Sequence, residues 1–169
     1  MSNSYNAVIE QAIELLQGIS PTEYQKILKP HFSGSVGAHI RHVLDHFLAL
    51  KNGVEKGHVD YNIRHRHNKV EQFPQSAIDA LSEIQSWILG LAPKDCEQSL
   101  LVTTEIDINH TKSATCTSTL ERELVFASSH AIHHYALIRI ICGMQNKKIP
   151  ELFGYAPATI THMQQTNAS

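Results

Sequence analysis

Apolar side chains at Val8, Ile9, Ala12, Ile13, Leu16 and Ile19 recur at three- and four-residue intervals, the spacing of one helical face, and predict a helix over 4–19. "SPTE" at 20–23 restarts a short helix: Ser20 can cap it, Pro21 suits its first turn, and Glu23 completes a capping box. Pro30 is expected to end that helix. Ser35 then stands as the N-cap of a second long helix, whose Val36, Ile40, Val43, Leu44, Phe47 and Leu50 keep the helical period until Gly53.

From Gly53 to Pro74 the chain is polar, with "YNIRHRHNKVE" at its centre, and reads as a long surface connection, a solvated charged stretch in preference to a basic substrate-facing loop. Pro74 opens a third helix, on which Ile78, Leu81, Ile84 and Ile88 repeat until Gly90 and Pro93. "LLVTTEIDI" and "SATCTST", rich in β-branched residues and separated by "NHTK", predict a short hairpin. "STLE" at 118–121 is another capping box, with Glu121 and Glu123 in the first turn of a helix that runs to Gly143. Its inward stripe is written Leu120, Leu124, Ala127, Ala131, His134, Ile138 and Ile141. These elements predict an all-α protein, an up-and-down four-helix bundle with a small β-hairpin insert before the last long helix, as a single domain over 1–169. "FGYAPATI" in the carboxy-terminal tail is expected to cap the bundle.

With 169 residues, 42% of them hydrophobic, the chain suffices for one sizeable core and not comfortably for two. A formal charge of −2 carries no electrostatic footprint for nucleic acid or an anionic membrane surface, which leaves a small-molecule substrate or a protein partner. The amino terminus lacks a basic stretch followed by an apolar run, and no segment reaches bilayer-spanning length, so a soluble, cytoplasmic protein is expected. Cys96, Cys116 and Cys142, odd in number and widely spaced, argue against a disulfide framework and fit a reducing compartment.

What changes the picture is 12 histidines. His130 and His134, four apart on the last helix, project from one face, and two imidazoles so placed can grip one metal ion without distorting the backbone. The second helix carries His39, His42 and His46. On periodicity alone His39 and His46 flank the apolar stripe, while His42 lies farther round with Ser35, Ala38 and Ala49; a close helix contact on that small-residue face could still turn His42 inward. Three imidazoles from two helices with an open fourth position is the arrangement of a catalytic metal. Asp45 and Glu123 are candidates to orient a ligand's other ring nitrogen. His31, His58, His65, His67, His110 and His162 read as ordinary surface or hydrogen-bonded, partly buried histidines. No HExxH, GxGxxG, Walker loop or GxSxG is present, the ExxH formed by Glu55 and His58 lies among glycines, and no base is arranged to activate Cys142.

Two segments resemble those of the DinB/YfiT-like superfamily of metal-binding four-helix bundles. "SVGAHIRHVLDHF" is similar to its second-helix motif, a ligand histidine followed by a small apolar pair and an acidic residue, here His42-Val43-Leu44-Asp45. "SSHAIHHYALI" is similar to its last-helix HxxxH pair, here His130 and His134. The resemblance implies a metal triad of His42, His130 and His134, with His39, His46 and His133 as neighbours. It further implies a divalent ion, zinc or nickel, and a homodimer. Members with known activity include thiol-dependent transferases and isomerases, in which the metal holds a low-molecular-weight thiol as thiolate. The ergothioneine-pathway branch carries HxxxHxE, whereas Tyr135 and Ala136 follow His134 here. The function expected is a metal-dependent thiol S-transferase; the alternatives are a metal-dependent hydrolase and a non-catalytic metal-binding, stress-related bundle.

Overall fold

The computed structural model describes residues 2–64 and 69–167, so the assignments of His65 and His67 lie outside the described residues. In chain order the elements are α1 (Ser2–Gln17), α2 (Pro21–Gln25), α3 (Val36–Val54), β1 (His58–Asp60), α4 (Lys69–Gln72), α5 (Pro74–Leu89), α6 (Pro93–Cys96), β2 (Ser99–Glu105), β3 (Ser113–Thr119), α7 (Leu120–Met144) and α8 (Pro157–Asn167). Four of these helices are long and amphipathic: α1 packs on α5 and α7, and α3 packs on α7 and α5. Their buried faces interlock Ile9 and Leu16, Ile40, Leu44 and Phe47, Leu81, Ile84 and Ile88, and Leu120, Leu124 and Ile138. None of the described helices is long and apolar enough to cross a membrane.

The expected starts are present as chemistry. Ser20 Oγ accepts the Glu23 N–H at 3.3 Å while the Glu23 carboxylate accepts the Ser20 N–H at 2.8 Å, a closed capping box. Ser35 Oγ accepts the Ala38 N–H at 3.2 Å. At the last helix the cap is one residue later than the motif suggests: Thr119 accepts from the Arg122 N–H, and the Ser118 hydroxyl is spent on Glu123. The short helix after Ser20 stops at Gln25, well before Pro30, because Lys26 takes an extended backbone.

The polar connection is more structured than its composition suggests. β1 lies parallel to β2, with His58 opposite Leu101, and β2 and β3 form the expected antiparallel hairpin, with Val102 opposite Cys116. The result is a three-stranded sheet, β1-β2-β3. Gly53 does not end α3, which continues to Val54; it is the point where β1 crosses, and a Cβ there would sit 2.6 Å from the His58 carbonyl oxygen. The tail lies on α7: Phe153 is buried with its ring stacked 5.0 Å from that of Tyr135, and Arg139 donates to the carbonyls of Glu151 and Phe153.

Candidate metal centre

α3 buries Ile40, Val43, Leu44 and Phe47, and the next strip round its surface carries His39, His42 and His46. α7 packs alongside and presents His130 and His134 to the same seam. One position of the predicted stripe is corrected. After Ala131 the helical period is met equally by a step of three or of four, and the buried side chain is Tyr135, held under Phe153, not His134. Burying Tyr135 rolls His134 onto the flank that faces α3, where it is half-buried.

The structure gathers these imidazoles. Ring centroids are 5.0 Å apart for His42 and His130, 4.7 Å for His42 and His134, and 4.7 Å for His130 and His134, with interplanar angles of 69°, 76° and 61°. His46 joins on the other side, 4.7 Å from His42 and stacked 4.1 Å from His130. The nitrogens of His42, His46 and His130 that could bind an ion all lie within 4.8 Å of one another. His130 Nε2 is buried and has no hydrogen-bond partner among the described residues, an orphan that an ion would satisfy. His133 is exposed on the outer side of α7.

Neighbours fix the outer nitrogens. His46 Nδ1 lies 2.9 Å from the carbonyl oxygen of His42, so it donates there and leaves Nε2 as the free lone pair. His134 Nδ1 is 2.9 Å from His39 Nδ1, a contact that holds one donor and one acceptor. When His134 donates, its Nε2 is free to bind an ion and His39 orients the ring. Tyr61 stacks on His46 at 5.2 Å and donates its hydroxyl to Glu123 at 2.8 Å, and Glu123 also accepts from Ser118 at 2.6 Å. Glu123 therefore supports the cluster through Tyr61 and His46. The Asp45 carboxylate is buried and ion-paired with Arg41 at 2.8 Å.

Two groups escaped the reading of the sequence. Arg64, from the polar connection, donates Nη1 to His42 Nδ1 at 2.6 Å. Phe126 closes the cluster from α7, its ring 5.9 Å from that of His130. Periodicity marks Phe126 as one turn before His130, but nothing local marks Arg64. His31, His58, His110 and His162 are exposed, within the expected class of ordinary histidines.

Burial is the largest influence on every ring that shifts. It pushes His42 and His134 down to about 3 and His130 down to about 4, reinforced by the neighbouring imidazoles and, for His42 and His130, by Arg64. His39 and His46 are lowered by burial too. At neutral pH these imidazoles are uncharged, the form that binds a metal. Because the folded values lie below the ordinary 6.5, the unfolded chain binds more protons from pH 6.5 down to about 3. Stability is therefore complete above that window and is lost as pH falls through it. Thermal melts of the metal-free protein should show a drop in Tm from pH 7 to pH 5 that is smaller in His42→Ala.

A cavity of about 400 Å³, walled by Phe32, Gly34, His39, His42, His134 and Leu137, opens onto the cluster. A second, about 520 Å³, lies between the hairpin and α7; Tyr61 and Phe126 form the wall it shares with the histidines. Cys142 is buried, with its thiol pushed up to about 11 by burial, so it is protonated at neutral pH and unsuited to attack.

No protein-family model matches the chain. It is 31% identical over 107 residues, 63% of its length, to FK506-binding protein 5 of Rhizopus delemar, and spans only 28% of that relative. Among solved structures it is similar to a DinB-like protein, YjoA, of Bacillus subtilis, with a TM-score of 0.58 and 16% identity, over 88% of this chain and 94% of that one. At that identity the likeness is one of fold.

Proposed function

Starting from a chain that has a DinB-like fold, we propose a divalent-metal-dependent enzyme in which His42, His130 and His134 hold the ion. The mutual spacing of the three rings carries the reading. A metal–nitrogen bond of about 2.0–2.1 Å plus about 1.2 Å to the ring centre puts neighbouring ring centres roughly 4.5–5.2 Å apart, for angles between octahedral and tetrahedral. The three observed distances, 4.7, 4.7 and 5.0 Å, fall inside that range, and the rings are steeply inclined to one another. His46 is the competitor for the third position, since its ligating nitrogen lies within 4.8 Å of those of His42 and His130. Its ring, however, is stacked 4.1 Å from His130 at only 29°, too close and too parallel for both lone pairs to converge on one ion. His46 is better suited to pack behind His130, with Tyr61 holding it there.

A divalent ion at this position, zinc or nickel, would supply a Lewis acid that keeps a low-molecular-weight thiol in its thiolate form. The chain's own contributions are positional. His39 orients His134, the His42 carbonyl and Tyr61 orient His46, and Phe32 and Leu137 give the adjoining cavity apolar walls for a small electrophile. The reaction class is thiol S-transfer, performed by a cytoplasmic homodimer of up-and-down four-helix bundles. The test is turnover of 1-chloro-2,4-dinitrobenzene and similar electrophiles by metal-loaded protein across a panel of thiols. Turnover is expected only when metal and one class of thiol are both present. Ester hydrolysis with metal alone would make it a hydrolase, and metal retention without any turnover would make it a binding protein.

A further inference from the structure

Arg64 brings a guanidinium against the histidine cluster. Its backbone follows a pinned turn: the Asn62 N–H is accepted by Asp60, the Asn62 amide donates to Ser113 at 3.1 Å, and the Glu105 N–H donates to Asn62 at 2.7 Å. From that anchor the guanidinium reaches His42 Nδ1 at 2.6 Å, and its charge is felt at His42, His46 and His130. Among the described residues no carboxylate pairs with it. It is exposed, at the mouth of the seam.

An imidazole that accepts from Arg64 through Nδ1 cannot keep that bond once it carries a metal. Either Nδ1 itself becomes the ligand, or Nε2 does and Nδ1 then bears the proton and turns from acceptor to donor. The guanidinium would have to release His42, yet the turn pinned at Asn62, two residues back, would keep it within reach of an ion held there. A planar fork of donors there matches a carboxylate. Resting on the metal reading above, we propose that Arg64 is the specificity residue of this site: it binds a carboxylate on the thiol that occupies the metal's open side.

Cobalt-substituted protein tests this through its visible spectrum, independently of turnover. Wild type is titrated with 3-mercaptopropionate and with 2-mercaptoethanol, two small thiols of which only the first carries a carboxylate, and compared with Arg64→Gln and Arg64→Lys. The expected result is a preference for 3-mercaptopropionate that falls about tenfold in Arg64→Gln and is partly restored in Arg64→Lys. Cobalt affinity should be unchanged or higher in Arg64→Gln, because the competing contact to His42 is gone; a structural role would lower it. Cobalt uptake with the same preference in wild type and Arg64→Gln overturns the role of Arg64 and leaves the metal site standing. Failure of the wild type to take up cobalt overturns both.

Discussion

His130→Ala is expected to lose metal affinity by more than about 100-fold, since even disturbing the partner that orients a ligand costs about 10- to 100-fold. His130 stands between His42 and His134 on one side and His46 on the other, so both candidate triads need it. Alanine is the best helix former and the ring is only half-buried, so the variant should keep its helical content. His133→Ala, an exposed change on the same helix, should retain wild-type metal content. Elemental analysis of untagged protein with calorimetric titration of zinc reads both. Equal metal content in the two variants would sink the assignment.

Gly37→Ala should be the most damaging small change to the scaffold. Gly37 lies in the first turn of α3, where a Cβ would overlap the Glu71 carbonyl oxygen of α4 and come within 2.8 Å of the Tyr24 ring. Neither neighbour is free to give way. The Tyr24 hydroxyl is tied to the Val70 carbonyl at 2.6 Å, and Glu71 is paired with Arg41 at 2.9 Å. Helix α3 would have to back away from α4, at a cost of about 3 kcal/mol, which for a chain of this length lowers Tm by roughly 6–12 °C. A calorimetric shift below about 0.5 kcal/mol would show that the α3–α4 contact has slack.

How far the sequence reaches can be seen at individual residues. The four long helices were legible because each buries one face at a regular period and starts at Ser, Thr or Pro. The hairpin was legible from its β-branched runs. β1 was not, because three residues with only Val59 buried leave no pattern; the strand exists because β2 is there to pair with it. His134 and Tyr135 fit the period equally well, and the choice is made by Phe153, which arrives from the tail. The same roll of α7 decides which flank meets α3, which is why spacing alone left His39, His42 and His46 open. Arg64 reaches the cluster from a connection 22 residues beyond His42, a juxtaposition that only tertiary structure creates.

The central claim is that α3 and α7 hold a divalent ion between three imidazoles. Anomalous diffraction at the zinc edge from crystals of the zinc-loaded protein tests it most directly. A single strong peak about 2.0–2.1 Å from nitrogens of His42, His130 and His134, with His46 still stacked behind His130, is the predicted result. A peak bound by His42, His46 and His130 would correct the third ligand, and zinc found only at other histidines would contradict the account.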